Sequence, residues 1–127
     1  MDKVRFGLVG TGRITDWVLK GAFEDHRFVA QAVCSRTREN VEAFAAKYNI
    51  PEIYTDLEQM VSSPYIDAVY IGTPNHTHAD IAIKCLNHGK HVLCEKPFAS
   101  NADEARRMVD AARENDVSIM EAMISTL

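Results

Sequence analysis

A lysine set between a glutamate and a proline, Glu95-Lys96-Pro97, closes a short apolar run, His91-Val92-Leu93-Cys94. An amine in such a place can exchange a proton with a substrate once burial or nearby positive charge lowers its basicity. Pro97 fixes its own φ and restricts Lys96. The Lys96–Pro97 peptide bond is expected to be cis, which would aim the lysine back over the strand end. Two other apolar runs also end in unusual sequence. Gly10-Thr11-Gly12 follows the first, and Thr73-Pro74-Asn75-His76-Thr77-His78 follows the fourth. Gly10 permits a tight turn, and Gly12 lets backbone amides approach a pyrophosphate at a helix start. The plainer alternative is a strand–helix turn that needs only positive φ. Thr15 holds the third small position, where a branched residue should keep helix and strand slightly apart.

The second apolar run ends in Cys34-Ser35-Arg36-Thr37-Arg38. A carboxylate about 20 residues after the glycines would bind a ribose 2′-hydroxyl. A hydroxyl and two guanidiniums stand there instead. Arginine pairs bidentately with phosphate, so NADP is favoured over NAD as the cofactor. His76, His78, His88 and His91 do not have the spacing of a metal site, and no metal is expected. Asn75 and His78 fit the lining of a cofactor crevice better, and His88 sits where it can face a helix dipole.

These residues need a frame that brings strand ends together. Val4 to Val9, Phe28 to Cys34, Ile53-Tyr54, Ile66 to Gly72, His91 to Lys96 and Val117 to Met120 read as strands. Between them, apolar residues recur at helical spacing. The sets are Ile14, Trp17, Val18 and Gly21; Val41, Phe44, Ala45 and Tyr48; and Leu57, Met60 and Val61. The last helix carries Ala102, Ala105, Val109 and Ala112. Thr55 to Glu58 has the form of a capping box. Thr77 and Ser100 are expected to open the last two helices, and Gly89 to end the fourth. Strict alternation predicts an α/β fold with a doubly wound parallel sheet of six strands in order 3-2-1-4-5-6 and five helices.

The 127 residues suit one domain, 1–127. Hydrophobic residues make up 46% and charged residues 25%, with a net charge of −4. No basic run marks a nucleic-acid partner, and no segment has the length of a membrane span. Cys34, Cys85 and Cys94 lie in apolar segments without a CxxC pair, as in a cytoplasmic protein. The apolar ending from Ala122 to Leu127 reads as a lead into further structure, so the chain is expected to be a fragment that exposes apolar surface.

With these motifs in hand the chain resembles the N-terminal domain of the glucose–fructose oxidoreductase/inositol dehydrogenase family, Gfo/Idh/MocA. The resemblance rests on Gly10 to Ile14, Thr73-Pro74-Asn75 with His78, Gly89 to Pro97, and Met120 to Met123. It implies hydride transfer between a nicotinamide cofactor and a sugar- or polyol-like carbinol. It further implies that Lys96 is the catalytic lysine and binds substrate. Gly12, Arg13 and Ile14 would meet the pyrophosphate, and Ser35 and Arg36 the adenosine ribose. Thr73, Asn75, His78 and Glu95 would lie along the nicotinamide. Family members are commonly more than twice this length, with a second domain that supplies most substrate contacts and much of a homo-oligomer interface. The fragment alone is therefore expected to be inactive. Two rivals remain: a non-catalytic nucleotide-binding or redox-sensing module, and a methyltransferase, which would want an acidic end to the second strand.

Overall fold

The computed structural model describes residues 4–10, 28–72, 78–95 and 102–122. In chain order the elements are β1 (Val4–Val9), β2 (Phe28–Cys34), α1 (Arg38–Tyr48), β3 (Glu52–Tyr54), α2 (Leu57–Val61), β4 (Ala68–Ile71), α3 (His78–Asn87), β5 (His91–Glu95), α4 (Ala102–Glu114) and β6 (Ile119–Ala122). All pairings are parallel and the order is β3-β2-β1-β4-β5-β6, as the alternation predicts. The helix expected around Ile14 to Gly21 lies outside the described residues.

Strand periodicity divides the core between the two faces of the sheet. Val9, Ala32, Cys34, Val69, Ile71, Val92 and Cys94 face Met60 and Val61 of α2, Ala82, Cys85 and Leu86 of α3, and Met108, Ala111 and Ala112 of α4. Phe6, Leu8, Val33, Ala68 and Tyr70 share the other cluster with Val41, Phe44 and Ala45 of α1. Both faces of β4 are buried along its length, which explains why its sequence does not alternate. Gly7 brings α2 close to the sheet. A Cβ there would stand 3.0 Å from both Sδ and Cε of Met60. The β1–β2 register also slips beside it, between Phe6 and Gly7.

Several boundaries and faces differ from the sequence expectation. The helix α2 is capped by Asp56, not Thr55. Asp56 has extended backbone, and its Oδ1 accepts the Glu58 N–H at 3.0 Å. Glu58 thus falls one position too early to close a capping box. Its carboxylate instead meets His88 Nε2 at 2.8 Å and Lys84 Nζ at 3.4 Å. The His88 Nδ1 lies 2.9 Å from the Lys84 carbonyl in the last turn of α3. The buried stripe of α4 is Met108, Ala111 and Ala112, while Ala102 is exposed and Val109 is 38% exposed. The helix is rotated so that Met108 is fully buried in the cluster that also holds Ala82, Cys85 and Leu86 of α3. β4 starts at Ala68, and just before it the Asp67 carboxylate accepts the Arg5 N–H. β6 runs from Ile119 because Val117 still closes α4, its N–H donating to the Ala112 carbonyl at 3.0 Å. β3 gains Glu52 at its start. β5 is described as far as Glu95, and Lys96 lies beyond the described residues.

The amino edge of the sheet is closed by paired polar groups. The backbone N–H of Arg5 donates to Asp67 Oδ2 at 2.9 Å, and its Nε and Nη2 donate to the same carboxylate at 3.1 and 3.0 Å. This pairing holds the Asp67 carboxyl below its ordinary range. Lys90 Nζ donates to the carbonyls of Ser63 and Ile66 at 2.8 and 2.7 Å, and burial pulls its basicity down. Glu52 accepts from Gln31 at 2.7 Å, Tyr54 at 2.6 Å and Ser63 at 3.2 Å. Burial works to raise the Glu52 carboxyl, but these donors outweigh it and the net shift is downward.

Candidate functional site

The opposite edge of the sheet is built differently. Tyr54, Cys34, Val9, Ile71, Cys94 and Glu121 form one level row across all six strands. One residue further along their strands stand Ser35, Gly10, Gly72 and Glu95. Three backbone hydrogen bonds carry the ladder past the row. Gly10 N–H donates to the Cys34 carbonyl at 2.9 Å, Gly72 N–H to Val9 at 2.9 Å, and Ser35 N–H to Tyr54 at 3.2 Å. Strand order reverses between β1 and β4, where an open parallel sheet binds its ligand. Glycines flank that point on both strands. Gly10 has φ of 100°, a conformation that side chains rarely take. Without a Cβ, Gly10 lets the chain turn there and leaves room for a ligand to come close.

Of the site residues expected from sequence, Gly10, Ser35, Arg36 and Glu95 are placed together along this edge. His78 is the first residue of α3, which follows β4 across the crevice. Gly12, Arg13, Ile14, Thr73, Asn75 and Lys96 lie outside the described residues, as does the Lys96–Pro97 bond. Arg36 is exposed and has no carboxylate partner among the described residues, whereas Arg38 is tied to Glu42 at 3.0 Å. A nicotinamide dinucleotide fits this edge: a turn without a Cβ at Gly10, then at the end of β2 a hydroxyl and a guanidinium that meets no carboxylate among the described residues.

One carboxylate near this edge escaped the sequence reading. Asp56 follows β3 by two residues, and its charge helps to raise the Cys34 thiol, after burial, to about 11. The signal for it was an acid just past a strand that pairs with β2. The Cys85 thiol is pushed to about 12, by burial first and then by Cys34 and Cys94. All three thiols are buried and none is in a disulfide. Thiols held un-ionised are poor redox sensors. Among the described residues no group of side chains could hold a metal ion, and no helix is long and apolar enough to cross a membrane.

Residues 4–123 match the family described as "Oxidoreductase family, NAD-binding Rossmann fold", GFO_IDH_MocA. The chain is 48% identical over 123 residues to the scyllo-inositol 2-dehydrogenase (NADP(+)) IolU of Bacillus subtilis, covering 97% of this chain and 38% of that one. It is 39% identical over 125 residues to a trans-1,2-dihydrobenzene-1,2-diol dehydrogenase of Xenopus laevis, covering 95% of this chain and 37% of that one. Among solved structures it resembles the WlbA dehydrogenase of Bordetella pertussis, crystallised with NADH and UDP-GlcNAcA. That likeness has a TM-score of 0.88 and 31% identity, covering 94% of this chain and 37% of that one. The chain thus spans less than two-fifths of the length of these relatives. A six-stranded sheet with a glycine-flanked reversal point, and a family match running nearly end to end, place the chain in the Gfo/Idh/MocA family of oxidoreductases as an NAD(P)-binding Rossmann domain.

Proposed function

We propose that residues 1–127 are the dinucleotide-binding part of a two-domain dehydrogenase acting on a sugar- or polyol-like carbinol, with NADP favoured over NAD. The observation that carries this reading is the carboxyl edge, where Gly10 and Ser35 stand level with Glu95, one residue before Lys96, and Arg36, without a carboxylate partner among the described residues, follows Ser35. The nicotinamide would take or give the hydride. Gly10, Gly12, Arg13 and Ile14 would hold the pyrophosphate, and Ser35 and Arg36 the ribose with its 2′-phosphate. Thr73, Asn75, His78 and Glu95 would line the nicotinamide side. Lys96 would accept the hydroxyl proton during oxidation and return it during reduction. The sugar and polyol chemistry named for relatives supports the substrate class.

The non-catalytic alternative is separated by turnover. The chain as it stands should bind NADPH and NADH yet show no steady oxidation of a panel of sugars and polyols. Joined to the remaining sequence that its relatives carry, it should turn over. Lys96→Ala should then cost about 100-fold or more in kcat while leaving cofactor affinity within about twofold. Full activity in that variant would reject the role given to Lys96. Failure of the wild-type chain to bind either cofactor would reject the reading as a whole.

A further inference from the structure

We propose that Asp56 is a specificity-determining residue of the dinucleotide site, a fixed negative charge beside the end of β2 that opposes Arg36 and weakens the hold on a 2′-phosphate. The inference rests on the dinucleotide reading above. It starts from register. Tyr54 is level with Cys34 on the neighbouring strand. Arg36 lies two residues past Cys34, and Asp56 lies two residues past Tyr54. Paired strands run about 4.8 Å apart. The Ser35 N–H, bonded to the Tyr54 carbonyl at 3.2 Å, keeps the two exits side by side. A cation and an anion therefore flank the same stretch of the edge.

The anion is held in place. Its Oδ1 accepts the Glu58 N–H at 3.0 Å, which ties the carboxylate to the first turn of α2. No cation among the described residues forms an ion pair with it. Its field reaches the end of β2, because it adds to burial in raising the Cys34 thiol. A phosphate brought to Arg36 meets that field as well as the guanidinium, whereas an unphosphorylated ribose carries no charge to be repelled. Asp56 thus narrows the preference for NADP(H) that Arg36 confers without abolishing it, and the domain also takes NAD(H). Both Asp56 and Arg36 are exposed, so the repulsion is modest and screened by salt.

Asparagine caps a helix as well as aspartate does, so Asp56→Asn removes the charge and keeps α2 anchored. NADPH and NADH are titrated separately into wild type and Asp56→Asn, at roughly 0.02 M and 0.3 M salt, Debye lengths of roughly 20 and 6 Å. The variant should bind NADPH about two- to fivefold more tightly at low salt, with the gain shrinking at high salt. Its NADH affinity and unfolding midpoint should match wild type. Asp56→Ala should shift the ratio of the two affinities equally while also losing stability. An unmoved ratio in a protein that binds both cofactors overturns this inference alone. An equal change for both cofactors at both salts also overturns it, since that is what a displaced loop would give. If wild type binds neither cofactor, the dinucleotide reading falls and this inference with it.

Discussion

The two edges of the sheet are made from the same strands and differ in what their polar groups do. At the amino edge Arg5, Asp67, Lys90, Glu52, Gln31 and Ser63 are consumed by one another. At the carboxyl edge the side chains thin out to glycine at positions 10 and 72, and the guanidinium of Arg36 meets no carboxylate among the described residues. Polar groups satisfied internally hold a fold together, and groups left open are available to a ligand. The difference predicts that stability and cofactor affinity can be changed separately by choosing the edge.

The largest stability effect should come from Lys90→Met. It removes the ammonium that serves the Ser63 and Ile66 carbonyls and leaves them without that donor. We expect a loss of roughly 2–3 kcal/mol in urea unfolding, with NADPH and NADH affinities unchanged at saturating fold. An equal loss of affinity in the folded fraction would show that the edges are not independent. Arg36→Ala is the converse. It should leave the unfolding midpoint within about 0.5 kcal/mol and weaken NADPH about tenfold, from the loss of a charge-assisted contact. A preference for NADH that the substitution leaves unmoved would break the comparison from the other side.

Acid titration sharpens it further. Asp67 is held below its ordinary range, first by the Arg5 side chain, so its contribution to stability is present above the unfolded value near 4. That contribution is lost as pH falls through the lower folded value. Asp67→Asn should cost about 1 kcal/mol at pH 7, a figure kept small because the pair is more than a third exposed. As pH falls through that lower folded value the variant and wild-type curves should converge. Curves that stay parallel down to pH 2 would show that the carboxylate is not what Arg5 recognises.

Much of this architecture was legible in the chain because periodicity and punctuation agree. An apolar-rich run broken only by Arg5 and Gly7 marked β1, an unbroken one marked β4, and the spacing of Val41, Phe44 and Ala45 marked the buried face of α1. The misreadings have local causes. In α4 the alanines form a small-residue stripe at helical spacing, but the sheet took Met108, whose longer side chain fills more of the gap. At β6, Val117 looks like strand and is spent on ending the helix, after Asp116 turns with φ of 55°. The Asp67 carboxylate takes the Arg5 N–H, a partner 62 residues away that no local pattern contains. The edge glycines and Arg36 were readable from strand ends, whereas the placement of Asp56 beside them depends on the pairing of β2 with β3.

The smallest predicted effect tests whether the carboxyl edge is open at a helix start as well as at its strand ends. The helices α1 and α2 both begin there, one after β2 and one after β3. Thr37 and Asp56 occupy the same capping position with nearly the same extended backbone, φ −107° and −123°. Asp56 uses its side chain, and Thr37 makes no side-chain cap bond. The Thr37 carbonyl already accepts the Val41 N–H at 3.1 Å, and this bond survives any substitution of the side chain. Thr37→Ala should therefore change stability by less than about 0.5 kcal/mol, against about 1 kcal/mol for Asp56→Ala. Paired urea unfolding of the two variants measures the gap. Equal losses would mean that the Thr37 hydroxyl caps α1 in solution after all, and that the end of β2 is less open than Arg36 and Gly10 make it look.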